Sequence, residues 1–159
     1  MVETGRIRVA KDKAELVKAL TAADGATGPF PTYADVIVFA AALGAKHKKR
    51  VPLGEVSKKE PAPIPQEQFL VRGYDAVINL IAVNETEELK ILSLTENHTN
   101  ENRNDIFEEY VNGGLEMLQI ELRGAVDYTE RLLLILISEV VRQKKEEEEF
   151  DLSKFLPQM

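Results

Sequence analysis

Between Ala34 and Leu43 the only polar side chain is that of Asp35, and soon afterwards the chain reads Lys46-His47-Lys48-Lys49-Arg50. A segment this apolar is buried nearly all round if it is helical. Thr32 supplies an N-cap, with Asp35 at the third helical position. The pattern therefore predicts a helix on which the core is built. Ala40, Ala41, Ala42 and Gly44 are small enough to let a neighbouring backbone approach, while Val36, Ile37, Phe39 and Leu43 fill space on other sides. The fixed cations that follow complement the helix macrodipole, and they also form a patch able to meet phosphate.

The elements around this helix are short. Arg6-Ile7-Arg8-Val9 alternates charged and β-branched residues, the period-two pattern of a strand with one wet and one buried face. A first helix is expected from about Asp12, with Asp12 as cap, Glu15 as box partner and Leu16, Val17 and Leu20 as its apolar stripe. Gly25 to Pro31 reads as a turn. The prolines between Pro52 and Pro65, with Lys58-Lys59 among them, read as a surface loop. A helix or helix pair is expected over Gln66 to Val83, with Phe69, Leu70, Val77, Ile78, Leu80 and Ile81 facing the core and Gly73 at a bend.

The polar stretch Ser93 to Asp105 reads as a mobile loop. A long helix is expected over Ile106 to Leu122, carrying Gly113-Gly114 at a cost of about 2 kcal/mol relative to alanine unless close packing needs them. Asp127, with Glu130, caps a last helix whose run Leu132 to Ile137 has no polar residue, which places it at the centre of the domain or of a dimer. Its acidic end, Glu146 to Glu149, opposes the helix dipole. Phe150, Leu152, Phe155 and Leu156 then suggest a short docking segment.

Charge is distributed unevenly. Residues 1–60 carry 11 Lys and Arg against 7 Asp and Glu, a net of +4, whereas residues 61–159 carry 9 against 20, a net of −11, which together give the −7 of the whole chain. Either the first part offers a basic face to a polyanion, or the two parts complement each other or a partner. There is no cysteine, which removes disulfides and thiolate metal sites. The first 13 residues lack the apolar core of a signal peptide and no apolar run approaches the roughly 20 residues of a membrane span, so a cytoplasmic location without membrane contact is expected.

Signals for catalysis are thin. His47 lies in the basic cluster and His98 in the Asn-rich stretch, and neither has a carboxylate at ligand-like spacing. Nucleophile-elbow, Walker and dinucleotide-binding glycine patterns are absent. Glu108, Glu109, Glu116 and Glu121 would suit a magnesium-dependent nuclease only if they converged, and helical spacing distributes them over more than one face as a solvated surface. The order of strand, capped helix and buried helix matches that of a ribbon-helix-helix DNA binder, in which the strand pairs with its dimer mate. On that reading Arg6 and Arg8 contact bases or phosphates and Ile7 and Val9 point inward. The competing reading is an edge strand with solvated arginines.

The stretches RIRVAKDKAELVKAL, FPTYADVIVFAAALGAKHKKRVPL, GYDAVINLIAV and IFEEYVNGGLEMLQIELRGAVDYTERLLLIL together resemble the DNA phosphorothioation-associated protein 4 family, from about Arg6 to Ile137. The resemblance implies a bacterial protein encoded beside the enzymes that replace a non-bridging phosphate oxygen of DNA with sulfur, or beside the restriction proteins that use that mark. It implies no catalytic residue. Tyr33 to Pro52 is also similar to the small DNA-binding subunit of the modification machinery, whose lysine-rich surface lies on a ribbon-helix-helix-like fold. The acidic part from Pro61 onward has no counterpart there.

The expectation is thus a mainly α, single-domain helical bundle over residues 1–145, with a short N-terminal β-strand, followed by an acidic and apolar tail over 146–159. It is expected to be a non-enzymatic accessory protein without metal or cofactor. The candidate DNA-contacting residues are Arg6, Arg8, Lys46, Lys48, Lys49, Arg50, Lys58 and Lys59. Expected partners are proteins of the modification or restriction machinery, duplex DNA and further copies of the chain. The alternatives are an interaction subunit that never touches DNA and a metal-dependent nuclease.

Overall fold

The computed structural model describes residues 5–22, 28–92 and 97–149, with residues 97–102 described by their backbone. The first three residues of the expected Gly25–Pro31 turn, the start of the Asn-rich stretch and the segment from Phe150 to Leu156 lie outside the described residues. The described chain is mainly α: α1 (Ala14–Leu20), α2 (Tyr33–Lys46), α3 (Gln66–Leu70), α4 (Asp75–Thr86), α5 (Asn97–Glu121) and α6 (Tyr128–Glu149), with two-residue strands β1 (Arg6–Ile7) and β2 (Ile64–Pro65). It divides into two compact units between Arg123 and Gly124.

In the first unit, α2 starts where the Thr32 cap places it. The Thr32 backbone N–H donates to the Asp35 carboxylate at 3.0 Å, and the Thr32 side chain accepts from the Asp35 backbone N–H at 3.4 Å, a complete capping box. Ala34, Val36, Ile37, Ala40 and Ala41 are wholly buried. The helix packs on α5 through the small residues of both. A Cβ on Gly114 would lie 1.7 Å from the Ala40 carbonyl oxygen, and one on Gly44 would lie 2.2 Å from that of Tyr110. The two backbones touch, and glycine is the side chain the contact admits.

The N-terminal segment runs antiparallel to the proline-rich loop. Arg6 pairs with Pro65 and Ile7 with Ile64, and further along the Ser57 N–H donates to the Val9 carbonyl at 2.8 Å and the Lys11 N–H to that of Glu55 at 2.8 Å. Ile7 and Val9 are buried while Arg6 and Arg8 face outward, as the alternation predicts. The partner strand is intrachain, where a ribbon-helix-helix dimer would take it from its mate. β1 has no need of a second chain, because the loop after α2 returns to it.

Three local expectations are corrected. Asp12 does not cap α1: a 3₁₀ turn over Lys11–Lys13 precedes the helix, and the Asp12 carboxylate instead receives the Lys13 ammonium at 2.9 Å. Leu70 and Leu80 are exposed, because Phe69 on α3 and Ile78, Ile81 and Ala82 on α4 already occupy the buried side. The stretch from Asn97 to Asp105, expected as loop, is the beginning of α5. Its weak helix propensity is overridden by tertiary anchors: Arg103 donates to the Asn79 side-chain oxygen at 2.9 Å and Asp105 receives Arg8. Gly73, at φ +76°, makes the turn between α3 and α4.

In the second unit, the Asp127 carboxylate accepts from the backbone N–H groups of Thr129 and Glu130 at 2.9 and 3.2 Å, capping α6 as expected. Leu132 is buried there. Leu133, Leu134, Leu136 and Ile137, which an all-apolar run would place in a core, are 45–57% exposed.

Candidate functional site

Three of the eight candidate cations, Arg8, Lys49 and Arg50, converge on α5. Asn112, buried on that helix, donates to the carbonyl oxygens of Val51 at 3.3 Å and Pro52 at 3.0 Å, and the Val51 N–H donates to the Glu109 carbonyl at 3.0 Å. The space for this strap comes from Gly113, where a Cβ would stand 1.9 Å from the Lys49 carbonyl oxygen. Lys49 and Arg50 are therefore laid along α5 by their own backbone.

Their side chains follow. The Lys49 ammonium is 3.2 Å from the Glu116 carboxylate. Arg50 reaches two acids, donating through Nη1 to Glu85 on α4 at 2.8 Å and through Nε to Glu109 on α5. Glu85 also accepts from the Tyr110 hydroxyl. That donation, with the bonds and charge of Arg50, holds the Glu85 carboxyl below its ordinary value. Burial and the same hydrogen bond push the Tyr110 hydroxyl up to about 12. Burial alone would lower the Arg50 guanidinium, and the two glutamates outweigh it.

Arg8 flanks the same turn of α5 from another direction. Its guanidinium forks onto Glu108, Nη2 to Oε1 at 2.9 Å and Nε to Oε2 at 3.0 Å, its backbone N–H donates to the same carboxylate, and Nη2 also reaches Asp105 at 3.2 Å. The Glu108 side chain is 1% exposed against 47% for Arg8, so a carboxylate inside is answered by a cation at the rim. Burial pushes the Glu108 carboxyl above its ordinary value despite the hydrogen bonds and charge of Arg8.

Of the eight candidates, then, Arg8, Lys49 and Arg50 are bonded to acids of the second part of the chain. Arg6 is exposed and its guanidinium donates to the Pro63 carbonyl at 3.4 Å. Lys46, Lys48, Lys58 and Lys59 are exposed, with Lys48 at φ 53° just beyond α2. The residues that sequence reasoning missed are the acceptors: Glu85, Glu109 and above all Glu108, read as solvated. The signal lay in its spacing, since Glu108 stands three, four and seven residues before Val111, Asn112 and Leu115, on the buried face of α5.

A surface hollow of about 410 Å³ is lined by Lys11, Asp12, Leu53 and Glu55, and the Lys11 ammonium lies 3.0 Å from the Glu55 carboxylate. Among the described residues no group of three or more histidines and acids is placed to hold a metal ion, and no helix is long and apolar enough to cross a membrane. The carboxylates of α5 act here as anchors for the first part of the chain.

Fold and site thus define an α-helical protein with a minor two-stranded ribbon, whose apolar core is edged by ion pairs between cations of the first 60 residues and acids on α4 and α5. The chain belongs to the DNA sulphur modification system-associated protein 4 family, whose model matches residues 6–155. Its association is with a DNA sulphur modification system. No curated protein and no solved structure matches it.

Proposed function

We propose that the chain is a non-enzymatic accessory component of a DNA sulphur modification system, and that it acts as an adaptor through the exposed face of α6. One observation carries the reading: Leu133, Leu134, Leu136, Ile137, Val140 and Val141, all on α6, are 45–57% exposed. An apolar patch that continues over about two and a half turns is the kind of surface that marks a protein contact. The partners on this reading are proteins of the modification or restriction machinery, and the place of work is the cytoplasm, where their DNA is. Tagged chain isolated from cells carrying the whole gene cluster should bring those proteins down, with the yield unchanged by nuclease. A double Leu133→Glu, Ile137→Glu variant should lose them. Loss on nuclease treatment would overturn the protein-adaptor reading.

A second reading, contact with duplex DNA, is supported by the exposure of Lys48, Lys58 and Lys59, with Arg6 and Lys46 beside them in the candidate set. The ion pairs of Arg8, Lys49 and Arg50 favour structural roles for those three. The informative variant is Lys48→Ala, Lys58→Ala, Lys59→Ala, which leaves the pairs on α5 intact. It should weaken duplex retention at low salt and flatten the dependence of log K on log salt by about 2 to 3, near one per phosphate contact. Identical salt curves would remove the reading.

A further inference from the structure

The exposed residues of α6 are ordered in a way that indicates what covers them. Around the helix, Leu136, Val140, Leu133, Ile137, Val141 and Leu134 follow one another over about 160° of surface at 3.6 residues per turn. Along it they are centred on Ile137. Glu130 and Lys144 continue the same stripe two turns to either side of Ile137, with opposite charge. Buried Leu132 lies off this stripe.

We infer that the occupant is a second copy of the chain, with the two α6 helices antiparallel about a two-fold axis at Ile137. This deepens the reading of α6 as a contact surface and rests on it: the second copy covers the stripe and the machinery proteins bind the dimer so formed, which is why the Leu133→Glu, Ile137→Glu variant loses them. In that arrangement Leu133 faces Val141 of the other copy and Leu134 faces Val140, apolar against apolar, and Ile137 meets its own copy on the axis, while Leu136 at the edge of the stripe is level with Ser138. Glu130 faces Lys144, twice by symmetry. The run Glu146 to Glu149, unfavourable at its own helix C-terminus, comes to lie beside the N-terminus of the other α6, where the macrodipole favours negative charge. A parallel, in-register pair would set Lys144 against Lys144 and four glutamates against the same four. The charge pattern therefore selects the antiparallel pair.

The absence of cysteine makes the geometry directly testable on the full chain. Sedimentation equilibrium should give twice the 17.8 kDa chain mass. Under oxidation Ile137→Cys should form a covalent dimer. Glu130→Cys mixed with Lys144→Cys should form a mixed dimer, while Lys144→Cys alone should not cross-link. Glu130→Lys should weaken the dimer about tenfold at low salt, and adding Lys144→Glu to it should restore the affinity. Circular dichroism of each variant separates lost association from lost folding.

Cross-linking of Lys144→Cys to itself would overturn the antiparallel pair. A monomer at all concentrations would overturn the second copy as occupant, including the case in which the chain's own residues after Glu149 cover the stripe. A monomer whose Leu133→Glu, Ile137→Glu variant still loses the machinery proteins leaves the adaptor standing and removes only this inference. A monomer whose variant retains them removes both.

Discussion

Helices α5 and α6 are of similar length, 25 and 22 residues, and both carry apolar residues together with several glutamates. They solve opposite problems. On α5 the backbone is stripped to glycine at 113 and 114 so that α2 and the Lys49–Pro52 strap can lie against it, and Glu108, Glu109 and Glu116 are each met by a cation from the first 60 residues. On α6 four residues of the longest apolar run, Leu133, Leu134, Leu136 and Ile137, are exposed. The contrast teaches that apolar content alone does not tell a core helix from a contact helix. What separates them is what stands opposite. Small residues and buried carboxylates need particular neighbours at particular distances, so they mark a helix whose partners are in the same chain.

The sharpest way to break the comparison is at the α2–α5 contact. Gly114→Ala would put a methyl group 1.7 Å from the Ala40 carbonyl oxygen, backbone against backbone, so no rotamer change relieves it. The helices must separate, at an expected cost of more than about 3 kcal/mol. An exposed helical glycine would behave in the opposite way, gaining about 1 kcal/mol from alanine's propensity. Urea denaturation of the variant gives the sign directly.

Next in size is the buried carboxylate. Arg8→Ala strands Glu108 in the interior, and since Arg8 is half exposed the loss should sit at the low end for a broken buried pair, about 3 kcal/mol at neutral pH. The pH dependence distinguishes this from lost packing. Burial already raises the Glu108 carboxyl in the folded protein, and removing Arg8 raises it further. A raised folded value means a contribution that is present when the group is protonated and is lost as pH rises through it. The deficit of the variant against the native chain should therefore narrow as pH falls into the carboxylate range. A deficit independent of pH would mean that Arg8 matters for its aliphatic stem.

Much of this was legible before any coordinates. The Thr32–Asp35 box, the Asp127 cap, the alternation of Arg6 to Val9, the bend at Gly73 and the burial of α2 are local patterns, and local chemistry decided them. The small residues of α2 and the glycine pair of α5 also announced a close approach, although not that each faced the other. What sequence reading lost was pairing at a distance. Arg8 and Glu108 are a hundred residues apart, and nothing in either neighbourhood names the other. Arg50 was read by its company of lysines when its position is set by the strap on Asn112. The start of α5 was lost for a related reason, since its asparagines argue for loop and its anchors lie on α4 and just beyond β1.

Helix caps offer a finer comparison between the two units. Thr32 takes part in a reciprocal box at the start of α2, and Asp35 in that box also receives the Tyr74 hydroxyl at 2.6 Å, with Arg72 at 3.6 Å. Burial alone would raise the Asp35 carboxyl, and these partners together hold it below its ordinary value. Asp127 caps α6 from an exposed position without such support. Thr32→Ala should cost about 1 to 2 kcal/mol and Asp127→Ala nearer 0.5 kcal/mol. Equal losses would mean that the tertiary contacts of Asp35 add nothing to its cap.

The smallest expected effect is also the one that decides how α6 differs from α5. Leu136 lies at the edge of the exposed stripe, 45% exposed, and in an isolated chain Leu136→Gln gives up only the contacts of its covered part, so folding stability should change by about 0.5 kcal/mol or less. If two α6 helices associate, the same substitution acts on the dimer, and its effect should appear only as protein concentration rises through the dissociation range. A leucine on the buried face of α5 behaves otherwise: Leu115→Ala should cost 2 to 5 kcal/mol, on the order expected for a filled core, at every concentration. Measuring both variants across a hundredfold range of concentration separates a helix stabilised by its own chain from one stabilised by another.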